Sequence, residues 1–77
     1  MATVRLFAAA AEAAGCEQTS VDGVTVGAVK RQLVEAHGDG FAHVLRQCAV
    51  MVDGRRADDD HRVGDAVVDV LPPFAGG

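Results

Sequence analysis

Length, composition and charge limit what this chain can do. It has 77 residues, with seven Lys or Arg against eleven Asp or Glu, a net charge of −4, and no Trp or Tyr. This length predicts one domain, residues 1–77, with one modest core. An acidic chain without Trp or Tyr is a poor candidate for nucleic-acid binding, and no apolar run approaches the roughly 20 residues that span a bilayer. We therefore expect neither nucleic acid nor a membrane as a partner.

The cysteines and histidines limit the cellular compartment and the kinds of chemical site that we expect for this chain. Cys16 and Cys48 allow one disulfide at most, and the N-terminus lacks the charged leader and cleavage region of a signal peptide. We therefore expect a reducing, cytoplasmic location. The spacing of these cysteines and of His37, His43 and His61 matches no zinc site, and no glycine-rich phosphate loop is present. The sequence predicts no bound metal or cofactor and no ATP site in the chain itself.

The first third of the chain predicts a strand, a short helix and a second strand. Residues 3–8 alternate well enough for a strand. The alanine-rich stretch Ala8–Ala14 predicts a helix, with Gly15 as its C-terminal stop. A helix this short is marginal in isolation, so packing must hold it. Gln18–Val21 predicts a weak second strand.

The main amphipathic helix follows. Thr25 is a typical N-cap, because its hydroxyl can accept a hydrogen bond from a backbone N–H two or three residues later. Gly38 marks the end of the helix. We expect the helix to cover one face of a sheet with apolar residues that recur at helical spacing, namely Val26, Val29, Leu33 and Ala36.

The next segments are short. Asp39–Gln47 predicts a helical turn at the edge of the core, and Cys48–Val52 predicts a strand. Asp53-Gly54 is a strong hairpin signal, after which Arg56-Ala57 is expected to pair briefly as an edge strand.

The last part of the chain contains a loop and a final strand. Asp58–Asp60 predicts a solvated loop, because three adjacent like charges repel one another when packed. A turn through Gly64-Asp65 leads into the last strand, Ala66–Leu71. Short strands around one long helix predict an α+β domain.

The predicted sheet has more apolar surface than one helix can cover. Alternation along the strands sends two sets of residues to opposite faces. The inward set comprises Val4, Leu6, Val50, Val52, Val68 and Val70. The opposite set comprises Phe7, Met51, Val67 and Leu71, and apolar surface of this kind predicts a partner-binding site.

The final stretch has an unusual composition. Pro72 and Pro73 hold φ near −65° and favour an extended path. Gly76 and Gly77 have no Cβ, so this end of the chain can enter a slot too narrow for other residues. We predict that 71–77 is a protruding tail, in which Phe74 extends the apolar surface and Ala75 precedes the glycines.

These stretches resemble the ubiquitin-like sulfur-carrier family, and within it the small subunits of molybdopterin synthase. The likeness covers essentially the whole chain. It is carried by Val4–Ala8 with the alanines up to Gly15, by Val63–Val67, and most specifically by Leu71–Gly77.

The resemblance implies a ubiquitin-like β-grasp fold and a chain that is a protein cosubstrate, not an enzyme. It implies that Gly77, preceded by Gly76, is adenylated by a separate E1-like enzyme with ATP-Mg and becomes a thiocarboxylate. The implied partners are this adenylating enzyme and the large subunit of molybdopterin synthase or another sulfur-accepting enzyme. The residues expected to bind them are Phe7, Met51, Val67, Leu71, Pro72, Pro73, Phe74 and Ala75.

Several alternatives stay open. Ala11 stands where small subunits of molybdopterin synthase often carry an arginine, which favours a carrier for a cysteine, thiamine-type or secondary-metabolite pathway. The same Gly-Gly end suits a ubiquitin-like modifier joined to lysines, and a plain interaction domain is a further alternative. If the chain were an enzyme, a Cys48–His43 dyad is the pair it would use. Both cysteines could also carry a persulfide, but the simpler interpretation is that they are small buried apolar residues.

Overall fold

The structure is a computed structural model that describes residues 1–72. Within this part, the strands are β1 (Ala2–Leu6), β2 (Gln18–Val21), β3 (Ala49–Val52), β4 (Arg55–Arg56) and β5 (Val67–Leu71). They form a mixed sheet in the order β2-β1-β5-β3-β4. Neighbouring strands are antiparallel except for β1 and β5, which are parallel. Together with the helices, this sheet confirms the predicted α+β class.

The helices are α1 (Ala9–Ala14), α2 (Val26–His37) and α3 (Asp39–Leu45). Gly15 ends α1 in the left-handed conformation, with φ of 76°, as the sequence predicts. Asp39–Leu45 forms a two-turn helix where the sequence predicts only a helical turn. Within residues 1–72, no helix is both long and apolar enough to cross a membrane.

The N-terminus of α2 is capped from two sides. The Thr25 Oγ1 accepts a hydrogen bond from the backbone N–H of Ala28 at 3.2 Å, which confirms the predicted N-cap. Two further N–H groups of the first turn donate to backbone carbonyls of the loop of residues 58–61, which we call the acidic loop. Val26 donates to His61 at 3.0 Å and Gly27 donates to Asp59 at 2.9 Å. The loop thus satisfies helix donors that would otherwise lack partners.

The core lies between the inward face of the sheet and the helices. All six residues predicted to point inward are buried, and they pack with side chains from α2 and α3. Ala36 is exposed, so its predicted place in the core is wrong. In the last turn of α2, His37 lies towards the core instead. The centroid of its ring is 5.3 Å from the ring centroid of buried Phe41 in α3.

The turns account for the differences in strand boundaries. Ala8, predicted at the border of strand and helix, belongs to neither, and has φ of 50°. Asp53 and Gly54 both have positive φ, 49° and 85°, which is typical of a type I′ hairpin. The edge strand after this hairpin is Arg55–Arg56, one residue earlier than predicted, because the two-residue turn places Arg55 directly opposite Val52.

Candidate functional site: the open face of the sheet

The face of the sheet that turns away from the core is the candidate site, and we call it the open face. Strand register sets its composition, because residues paired across neighbouring strands project to the same side. Thr3 pairs with Val67, Arg5 with Asp69, Asp69 with Met51, and Leu71 with Ala49. Phe7 continues the alternation of β1, and its N–H donates to the carbonyl of Val70 at 3.3 Å. The open face comprises Thr3, Arg5, Phe7, Gln18, Ser20, Ala49, Met51, Arg56, Val67, Asp69 and Leu71.

The four apolar residues predicted on this face lie on it, but they are less exposed than predicted. Phe7 is 39% exposed, whereas Met51, Val67 and Leu71 are half-buried. The apolar residues are not continuous on β5, because Asp69 stands between Val67 and Leu71. At the end of β5, Leu71 is paired with Ala49 and lies next to Phe7, whose N–H donates to the carbonyl of Val70.

An ion pair crosses the centre of the open face. The Nε of Arg5 donates to Asp69 Oδ1 at 2.6 Å, and its Nη2 donates to Oδ2 at 2.8 Å. The guanidinium carbon of Arg5 also lies 6.0 Å from the centroid of the Phe7 ring. These hydrogen bonds and the charge of Asp69 raise the pKa of Arg5.

Sequence reasoning missed this pair although its signal was present. Alternation alone places Arg5 on the side of Phe7, and Asp69 lies between Val67 and Leu71. What alternation does not give is the parallel register of β1 and β5, which brings residues 64 positions apart into a bidentate contact.

The predicted tail begins at the end of the central strand. Leu71 ends β5, which lies between β1 and β3, and Pro72 follows as a half-buried residue. The tail residues Pro73, Phe74, Ala75, Gly76 and Gly77 lie outside the described residues, so their predicted roles stay predictions.

Beside the open face is a groove of about 410 Å³ between β1, α1 and β2. Ala11, the position where an arginine is expected from the family resemblance, is half-buried and lines it. Glu17 lines it as well. The small side chain of Ala11 thus leaves the groove open next to Phe7.

The cysteines are free thiols within the described residues. The Sγ of Cys48 donates to the carbonyl of Val44 at 3.2 Å, and burial raises the pKa of the Cys48 thiol. Both effects favour the protonated form, which is a poor nucleophile. The hydrogen-bonding partner of Cys48 is therefore Val44 and not His43, which is exposed on α3.

No group of three His, Cys, Asp or Glu side chains that could hold a metal ion is found in residues 1–72. The candidate functional features of residues 1–72 are thus a partly apolar sheet face, a central ion pair and the start of the predicted tail. This arrangement suits protein docking.

Comparisons with solved structures identify the fold. SAMP1 from Haloferax volcanii is 28% identical, over 99% of this chain and 98% of that chain, with a TM-score of 0.79. A putative molybdopterin converting factor, subunit 1, from Pyrococcus furiosus is 22% identical, over 95% and 97%, with a TM-score of 0.83. These likenesses confirm the predicted β-grasp fold.

A further similar structure is a complex of subunits 1 and 2 of molybdopterin-converting factor from Helicobacter pylori. It is 23% identical, over 99% of this chain and 97% of that chain, with a TM-score of 0.74. At this identity the likeness supports the fold alone. A search of curated protein sequences finds no match to the chain.

The comparison with family models identifies the family. The model of the ThiS family matches residues 4–77, almost the whole chain and all of the predicted tail. The predicted resemblance is thereby confirmed: the chain belongs to the ThiS family of ubiquitin-like sulfur carriers.

Proposed function

We propose that the chain is a sulfur carrier that works through its last residue, Gly77. The observation that carries the proposal is the match of the ThiS family model, which extends through Gly77. Membership implies that the terminal carboxylate becomes a thiocarboxylate while other proteins supply the catalysis. The position of β5 supports it, because the tail starts from the most central strand and beside the partly apolar end of the open face.

The chemistry needs two steps, because a carboxylate is unreactive towards sulfur nucleophiles. The carboxylate of Gly77 first attacks the α-phosphorus of ATP and releases pyrophosphate, which leaves an acyl-adenylate. A sulfur donor then attacks the acyl carbon, and AMP departs with the electron pair of the broken C–O bond. A persulfide donor must afterwards have its S–S bond cleaved by a thiol before the thiocarboxylate is free. Gly77 suits attack at the acyl carbon because no side chain crowds it.

In this proposal the adenylating enzyme binds ATP and Mg²⁺, and the carrier provides a docking surface and a C-terminus without bulky side chains. We assign docking to the open face and to the tail that follows it. The residues concerned are Phe7, Met51, Val67, Leu71, Pro72, Pro73, Phe74 and Ala75, with Gly76 and Gly77 entering the partner's active site.

We further propose that the sulfur goes to a precursor of the molybdenum cofactor, with the chain as the small subunit of molybdopterin synthase. This assignment rests on the sequence likeness of the tail and of Val4–Ala8. The absence of an arginine at Ala11 favours the alternative, a carrier for another sulfur-requiring pathway. Binding of the thiocarboxylated chain to a molybdopterin synthase large subunit distinguishes the two.

A ubiquitin-like modifier is the second candidate. It is favoured by the likeness to SAMP1 of Haloferax volcanii, a small archaeal modifier protein. The same acyl-adenylate could react with the amine of a lysine in another protein. Gly-Gly remnants on cellular lysines, found by mass spectrometry and lost when the gene is deleted, would support this candidate.

Intact-mass spectrometry tests the principal proposal. After incubation with the cognate adenylating enzyme, ATP and a sulfur source, we expect the chain to gain the mass difference between one sulfur and one oxygen atom. A chain that lacks Gly76 and Gly77 is the control and should keep its mass. An unchanged mass of the full chain would count against the carrier function.

A further inference from the structure

A row of side chains that includes three charged residues crosses the apolar residues of the open face. The register places four side chains side by side from β1 to β4. They are Arg5, Asp69, Met51 and Arg56. This row holds two arginines and one carboxylate, so it has one positive charge in excess although the whole chain has a net charge of −4. Within residues 1–72, the only carboxylate in ion-pairing distance of these two arginines is Asp69, which pairs with Arg5.

In the Arg5–Asp69 pair, the cation is exposed to solvent and the anion is largely buried. The Arg5 side chain is 50% exposed, whereas the Asp69 side chain is 14% exposed. A guanidinium has five N–H groups, and the contacts of Arg5 with Asp69 use two of them, one on Nε and one on Nη2. Three N–H groups remain without a partner among the described hydrogen bonds.

A protein that covers Phe7 must also cover Arg5. The guanidinium carbon lies 6.0 Å from the centroid of the Phe7 ring, and both groups belong to β1 or the residue directly after it. Burial of N–H donors without acceptors is unfavourable. A purely apolar partner surface would therefore bind poorly, whereas a surface with an oxygen acceptor over Arg5 would satisfy the remaining donors.

We propose that the Arg5–Asp69 pair determines partner specificity, and that Arg5 receives a carboxylate from the protein that docks on the open face. Asp69 acts as a positioning residue, since it fixes the guanidinium plane from below. A carboxylate fits better than a neutral acceptor because Arg56 adds a second positive charge to the row. The inference rests on the proposed function, in which an adenylating enzyme docks on this face.

Exchange of the two charges separates recognition from stability. The variant Arg5→Asp/Asp69→Arg keeps the net charge and can form the same pair within the chain, but it moves the exposed cation from β1 to β5. We expect urea unfolding close to that of the wild type, and a Kd for the adenylating enzyme that is about tenfold higher or more. A structural role alone predicts that the exchange preserves both properties.

A second variant keeps the test decisive if the exchanged chain does not fold. Arg5→Met/Asp69→Leu also keeps the net charge and makes the open face more apolar. We expect it to fold, to bind the adenylating enzyme about tenfold more weakly or worse, and to lose much of the salt dependence of wild-type binding.

The outcomes distinguish this inference from the proposed function. If either folded variant binds as tightly as the wild type while the wild type acquires sulfur at Gly77, only the role of the pair is wrong. If the wild type neither binds the adenylating enzyme nor acquires sulfur, the proposed function fails and this inference fails with it.

Discussion

Ala8 has a backbone conformation that suits glycine better than alanine. Its φ of 50° and ψ of −122° are those of the first central residue of a type II′ turn, and the N–H of Ala10 donates to the carbonyl of Phe7 at 3.1 Å. Non-glycine residues in such regions carry strain of about 1–3 kcal/mol. The turn lets the chain pass from β1 into α1 directly after Phe7, which leaves Phe7 on the open face.

We predict that Ala8→Gly stabilises the fold. Relief of strain outweighs the greater flexibility of glycine in the unfolded chain, so the free energy of unfolding should rise by up to about 1 kcal/mol. Urea unfolding measures this. The control is Ala9→Gly, one residue later in α1, which should lower it by up to about 1 kcal/mol. A loss of stability in Ala8→Gly would show that Ala8 is not strained.

Cys48 should react slowly in the folded protein. Burial raises the pKa of its thiol, so the folded state keeps the proton at a pH where an unfolded chain begins to lose it. In a Cys16→Ala background at about pH 8, near the ordinary pKa of a thiol, we expect iodoacetamide to alkylate Cys48 several-fold more slowly than in the urea-unfolded protein. The same raised pKa makes the folded state less stable, relative to the unfolded chain, as the pH rises further. Equal alkylation rates would contradict a protected thiol.

At the scale of elements, the acidic loop stabilises the start of α2, a role that its residue types do not indicate. Asp58, Asp59 and Asp60 are exposed, as a solvated loop requires. The backbone carbonyls of Asp59 and His61 nevertheless cap α2, and the Asp59 side chain accepts a hydrogen bond from Lys30 at 2.7 Å. Carbonyl capping leaves no signal in the residue types, because every residue has a carbonyl. The charges alone therefore could not predict it.

We predict that Thr25→Ala lowers the free energy of unfolding by about 1 kcal/mol, because it removes the acceptor of the Ala28 N–H. Thr25→Ser is the matched control, since it keeps the hydroxyl and should stay close to the wild type. Urea unfolding of both variants provides the comparison. Equal losses would show that the Thr25 methyl group, not its hydroxyl, stabilises this end of α2.

The sequence predicted those elements whose signal is local. Alternation correctly assigned all six inward residues of the sheet, and Thr25 and Gly15 correctly marked helix ends. Features that depend on packing between distant parts of the chain could not be predicted from the sequence. The place of Ala36 depended on how α3 packs against α2, and the Arg5–Asp69 pair depended on which strands are neighbours.

At the scale of the whole molecule, the strand that leads to the predicted tail is firmly held in the fold. The strand that leads to it is central, and its inward residues Val68 and Val70 are 0% and 1% exposed. A partner can therefore hold the tail without opening the core. The open face around its origin offers apolar contact and a fixed cation, and in the proposed function the partner supplies the catalytic groups.

The most direct test of this account compares two chains, the wild type and one with a single alanine added after Gly77. Both are incubated with the cognate adenylating enzyme, ATP and a sulfur source, and the C-terminal peptide is analysed by mass spectrometry. We predict a thiocarboxylate on Gly77 of the wild type and none on the extended chain, although both fold alike. A thiocarboxylate on an extended chain that stays uncleaved, or none on the wild type, would contradict the account.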